Sequence, residues 1–146
     1  MIATNKLLIV HSLLLILHVH ILQFNFLGKN VNVIIAVGHS GFEMDKKIAK
    51  QVDEIDLVVG GHSNTFLYNG VTPSIERSDG DYPFLAIKGG SQVVPVVQAY
   101  KYSKYLGRID LSVKNRKLIP RKDWHENNPI LLDKTYPQGI SKRKSK

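Results

Sequence analysis

The chain has 146 residues, 43% of them hydrophobic, which is enough for one domain with its own core and too apolar for a wholly disordered polypeptide. It contains no cysteine, which excludes a disulfide framework and cysteine-based structural zinc sites but does not fix the compartment. The formal net charge is +8, gathered in part in Lys142, Arg143, Lys144 and Lys146. That cluster reads as a solvated, disordered tail over 133–146. Nothing aromatic is interleaved with it to stack on bases, so no nucleic-acid partner is expected, while contact with an anionic membrane stays open.

At the other end, Lys6 precedes an apolar run from Leu7 to Leu17 broken only by His11 and Ser12. The run continues raggedly through His18, His20, Gln23 and Asn25 to Leu27. One positive charge before such a run is the pattern of a secretory signal or an anchor. No small-residue cleavage site follows, however, and a spanning helix needs roughly 20 mostly apolar residues. Residues 1–29 therefore carry three readings: targeting segment, segment foreign to the rest of the domain, or buried core helix. The stretch from Met1 to Gly28 is expected to pack loosely or to form a separate helix. His11, His18 and His20 have no other ligating residue types nearby and are not read as a metal cluster.

Asn32 to Val37 predicts a parallel strand, Phe42 to Val52 a helix, and Ile55 to Val59 a second strand. The helix has Phe42, Ile48, Ala49 and Val52 at roughly helical spacing, with Asp45, Lys46, Lys47 and Lys50 between them. Ser40 is its expected N-cap, and Glu43 and Asp45 are expected at its exposed start, where negative charge suits the macrodipole. Strand, helix and strand of these lengths make a right-handed βαβ unit. After the turn-rich stretch Asn69-Gly70 and Ser78-Asp79-Gly80-Asp81, shorter strands are expected at Phe84 to Ile87, Val93 to Tyr100 and Leu106 to Val113. These read as an antiparallel or mixed set that extends the sheet. Asn115-Arg116-Lys117 reads as a polar turn. The fold class is α/β.

The chemistry concentrates at two strand ends. Val33-Ile34-Ile35-Ala36-Val37 runs into Gly38-His39-Ser40-Gly41, and Asp56-Leu57-Val58-Val59 runs into Gly60-Gly61-His62-Ser63-Asn64-Thr65. Ligands of α/β folds collect at the carboxyl ends of parallel strands, and neutral imidazole is a common zinc ligand. Two histidines in matched contexts within one βαβ unit point to a metal site. Asn64 can offer its amide to a hard ion or to a phosphate oxygen. His125, beside Trp124 in a charged segment, reads as a surface residue. No residue is identified as a catalytic acid or base. Upstream of His39 there is no Asp-x-His pair and no Gly-Asn-His motif.

The stretch Val31-Asn32-Val33-Ile34-Ile35-Ala36-Val37-Gly38-His39-Ser40-Gly41-Phe42-Glu43-Met44-Asp45 resembles the ecto-5′-nucleotidase and apyrase family of metallophosphatases. So does Asp56 through Tyr68, followed in order by Tyr82-Pro83-Phe84, Val94-Pro95-Val96-Val97-Gln98-Ala99, Lys104-Tyr105-Leu106-Gly107 and Asn128-Pro129-Ile130-Leu131-Leu132. The resemblance covers about residues 30–132. It implies a four-layer α/β/β/α metallophosphatase (calcineurin-like) sandwich and hydrolysis of nucleotide phosphates outside the cell or at its surface, at a centre of two divalent ions, typically zinc. It also implies that His39 and His62 are metal ligands and that Asn64 lies near metal and phosphate. The family's Asp-x-His, bridging Asp and Gly-Asn-His motifs are missing here. The resemblance therefore implies the C-terminal half of that catalytic domain, with weak or no activity of its own; the alternative is a non-catalytic chain that binds metal or a partner.

Overall fold

The computed structural model describes residues 7–12, 31–115, 117–119 and 123–132. Its centre is a five-stranded sheet in the order β1-β2-β3-β5-β4. The strands are β1 (Leu7–Ser12), β2 (Val33–Gly38), β3 (Leu57–Val59), β4 (Phe84–Lys88) and β5 (Gln92–Val97). β2, β3 and β5 are near-continuous runs of Val, Ile, Leu and Ala, as strands covered on both faces must be. β1, β2, β3 and β5 are mutually parallel, and β4 joins β5 as an antiparallel edge strand through a turn at Gly89-Gly90.

Alternation along the strands divides the apolar residues between two faces. Ala36, Val58, Ala86, Val94 and Val96 turn to one side, where Ala49 of helix α1 (Phe42–Gln51), its C-cap Val52 and Ile55 close over them. Val33, Ile35, Leu57 and Val97 turn to the other, against Leu67, Tyr82, Ile109 and Leu111. Among the described residues the expected sandwich is thus represented by one helix layer on one sheet layer. Two small sheets stand beside it: β6 (Tyr105–Leu106) with β9 (Ile130–Leu131), and β7 (Ser112–Lys114) with β8 (Lys117–Ile119). A 3-10 turn covers Trp124–Glu126.

Three expectations are corrected. Leu7–Ser12 is neither helical nor separate: it pairs with β2 along its whole length, from Leu7 opposite Val33 to Ser12 opposite Gly38. The other residues of the N-terminal segment, and the basic tail, lie outside the described residues. Leu106 to Val113 is not one strand. Its ends belong to the two small sheets, and Gly107 to Leu111 runs irregularly across the second core face, where burial of Ile109 and Leu111 holds it without ladder hydrogen bonds. The strand expected to reach Tyr100 stops at Val97: beyond it Ala99 makes only an isolated bridge to Phe66, and Tyr100 turns the chain out of extended geometry at φ 65. The polar turn at Asn115 links β7 to β8, with Asn115 at φ 50.

Candidate metal centre

β2 and β3 are adjacent and parallel, with Val37 opposite Val59. The segments that follow them therefore leave the sheet side by side at its carboxyl edge. One carries His39, the other His62. Their ring centroids are 5.2 Å apart with the planes at 78°, and both residues are exposed. Metal–nitrogen bonds of about 2.0–2.1 Å would put each centroid roughly 3.2 Å from an ion, so the 5.2 Å spacing is short enough for both rings to reach a common centre.

The second loop is held in uncommon backbone geometry. His62 has φ 74 and Asn64 φ 53, left-handed values that non-glycine residues seldom take and that gather at functional sites. Asn64 is exposed two residues beyond His62. Glycine is required at position 60, where a β-carbon would stand 1.8 Å from Oδ2 of buried Asp45 on α1; a β-carbon on Gly61 would stand 2.9 Å from His39 Nδ1, the tip of an exposed ring.

Beneath the two loops runs a web of hydrogen bonds. Asp45 is fully buried, its Oδ1 accepting from Ser40 Oγ at 2.8 Å and its Oδ2 from Gln98 Nε2 at 2.7 Å. Gln98 Nε2 also donates to Gly61 O at 3.1 Å, while Gln98 Oε1 accepts from Thr65 N at 3.1 Å and Ser63 Oγ at 3.2 Å. Ser63 Oγ in turn accepts from Phe42 N at 3.0 Å. Burial pushes the Asp45 carboxyl above the usual carboxylate range, against the opposing effect of its bonds from Ser40 and Gln98 and of the nearby His39.

Two local expectations change here. The N-cap of α1 is Gly41 at φ 90, not Ser40, and the free amide of Phe42 is satisfied by Ser63 from the other histidine loop. Ser40 is drawn away by Asp45. Asp45 itself was expected on the exposed start of the helix; its i+3 position from Phe42 instead turns it under the loops, where two donors meet its oxygens. Glu43 is exposed as expected and bonds Lys46. His125 is exposed, on the 3-10 turn.

Sequence reasoning singled out neither Ser63 nor Gln98 as a site residue. Gln98 had a signal: like His39, it is a polar residue directly after a buried parallel strand, at the sheet edge that also carries His62. Among the described residues no cluster of three or more His, Cys, Asp or Glu forms. The two imidazoles, with the Asn64 amide two residues beyond His62, would supply part of a shell for a divalent ion.

No protein-family model matches the chain. It is 51% identical over 112 residues to human 5′-nucleotidase and 45% identical over 122 residues to a snake venom 5′-nucleotidase from Macrovipera lebetinus. These matches take in 77% and 84% of this chain but 19% and 29% of those proteins, so the chain spans only a minor part of the curated relatives it matches. A stretch of 112 residues within 146 necessarily includes both histidine loops. Among solved structures, a 5′-nucleotidase precursor from Thermus thermophilus superposes with a TM-score of 0.65 at 29% identity, over 75% of this chain and 21% of that one. The segment that bears the two histidine loops belongs to the 5′-nucleotidase family.

Proposed function

We propose that this chain supplies part of the metal- and phosphate-binding platform of an extracellular or cell-surface 5′-nucleotidase, a metal-dependent hydrolase of nucleotide phosphates. The observation that carries the reading is the pair of imidazoles 5.2 Å apart at the ends of neighbouring parallel strands. Neutral nitrogen donors favour zinc over the hard, oxygen-seeking ions.

His39 and His62 would hold the ion, and Asn64 would donate its amide hydrogens to a nucleotide phosphate oxygen or turn its carbonyl to the metal. A bound divalent ion supplies Lewis-acid polarisation of the phosphoryl oxygen and an activated water. Asp45 is not offered as a ligand, because both its oxygens are committed to Ser40 and Gln98. Two imidazoles and an amide are fewer donors than a hydrolytic centre needs. Metal binding is therefore assigned to this chain and turnover to a protein that brings further ligands to the same site. An extracellular setting is supported by a relative found in venom. Among the described residues no helix is long and apolar enough to cross a membrane.

The test is competition titration of Zn²⁺ against a chromogenic chelator, for the wild-type chain and a His39→Ala, His62→Ala double variant. One specific site, lost in the double variant, is the expected result. Equal binding by both proteins would remove the basis of the assignment.

A further inference from the structure

Gln98 is 3% exposed and uses its whole hydrogen-bonding capacity. Its two N–H groups go to Asp45 Oδ2 and Gly61 O, and its carbonyl oxygen receives Thr65 N–H and Ser63 O–H. The amide has one sensible orientation. Reversed, it would set its oxygen against the Asp45 carboxylate and its NH₂ against the Thr65 N–H. Through Asp45 it reaches Ser40, next to His39. Through Gly61, Ser63 and Thr65 it grips the loop on both sides of His62. The missing side chain of Gly60 leaves room for it, since a β-carbon there would stand 3.0 Å from Nε2.

We propose that Gln98 is a positioning residue that sets the spacing of the two histidine loops by bonding to both at once. It bonds the His62 loop directly and the His39 loop through Asp45. The amide sits on the residue that directly follows β5, the strand beside β3, so the sheet itself gives the two loops a common anchor. Backbone pairing ends with β2 at Gly38 and β3 at Val59, and beyond it the loops are tied by the Phe42–Ser63 bond and by the buried Gln98 amide, which is in place before any ion arrives. The proposal rests on the reading of His39 and His62 as a ligand pair only for its second readout.

The full 146-residue chain is compared with Gln98→Met, which keeps the length and loses all four bonds, and with Gln98→Glu, which faces Asp45 with a second carboxylate. The double variant Asp45→Asn, Gln98→Glu restores one bond between the two positions with donor and acceptor exchanged. Val94→Ala, in the core of β5, serves as a matched destabilised control.

The first readout is the nuclear Overhauser contact between the ring protons of His39 and His62 in metal-free protein. The second is Zn²⁺ affinity together with the visible absorption of the Co²⁺ form. Gln98→Met and Gln98→Glu should lose the ring contact and weaken Zn²⁺ binding by about 10–100-fold, the usual effect of removing support around ligands. The exchanged pair should regain much of both, and Val94→Ala should keep both. The proposal is overturned if Gln98→Met retains the ring contact, or if Val94→Ala loses as much at equal thermal stability. Should the ring contact depend on Gln98 while wild type binds Zn²⁺ no better than the His39→Ala, His62→Ala variant, the spacing role stands and the metal assignment falls.

Discussion

Asp45 and Gly60 show how closely the site is fitted at the level of single atoms. A β-carbon at position 60 would lie 1.8 Å from Asp45 Oδ2, so Gly60→Ala must move a buried carboxylate that holds both Ser40 and Gln98. Overpacking of this kind should cost about 3 kcal/mol in chemical denaturation and should weaken Zn²⁺ binding as well. A loss below about 1 kcal/mol would show that Asp45 yields without consequence. A second residue-level test concerns Glu76, which accepts from Lys104 Nζ and from Tyr105 Oη at 2.8 Å. The Lys104 bond draws the Glu76 carboxyl down from 4.5 to about 2. A depressed carboxyl stabilises the fold above its unfolded value, and that contribution fades as pH falls through the folded one. Thermal melts should therefore separate wild type from Glu76→Gln near neutrality and bring them together between pH 4.5 and about 2. A gap that persists unchanged at the acid end would contradict the ion pair. The histidines were legible in the sequence because each follows a buried strand through glycine. Asp45 was misjudged because an acidic residue in a first helical turn ordinarily faces water. Only the folded loops show that two donors wait beneath it.

At the level of elements, the βαβ unit was readable because its strands are continuous apolar runs and its helix has one periodic apolar face. The segments that failed lack such a signature. Leu7–Ser12 is apolar without alternation, a pattern shared by buried strands and helices of many kinds, and only its pairing with β2 decides between them. Gly107 to Leu111 alternates like a strand but is held by burial rather than by a ladder. The helix also depends on a residue far away in sequence. Lys88, 5% exposed on β4, donates to Val52 O at 2.7 Å and Asp53 O at 2.8 Å, at the C-terminal end of α1. Its ammonium satisfies carbonyls that a helix end leaves free and meets the negative end of the dipole. Lys88→Met keeps the aliphatic stem and abandons those carbonyls, so a loss of about 1–3 kcal/mol is expected in urea unfolding. No change would mean that water takes over at that end. Amide exchange should rank the elements in the same spirit. Val58 and Val96, interior to the sheet and covered on both faces, should exchange most slowly, and the β7–β8 pair should exchange fast. Equal protection in both would break the assignment of the core to the five-stranded sheet.

For the molecule as a whole, the decisive question is whether the histidine pair suffices for chemistry. The prediction is that the isolated 146-residue chain turns over AMP, ADP and ATP no faster than its His39→Ala, His62→Ala variant. Hydrolysis of a phosphoester at a metal centre requires ions held firmly enough to clamp the attacking and leaving oxygens and to acidify a bound water. His39, His62 and Asn64 would give part of one shell, and among the described residues no third His, Cys, Asp or Glu joins them. Asp45 cannot be recruited without breaking the bonds that set the loops. No described residue stands out as an acid for the leaving nucleoside oxygen, and a positioned acid alone is worth about 10²–10⁴-fold. The assay measures phosphate release in excess Zn²⁺, with the double variant run beside the wild type. It is informative whichever way the metal titration falls. Zinc bound without turnover fits a platform that awaits further ligands, in keeping with a chain that spans 19% of the human relative. Zinc-dependent turnover that disappears in the double variant would mean that two imidazoles on adjacent strand ends are already a working centre, and the requirement for more ligands would have to be given up.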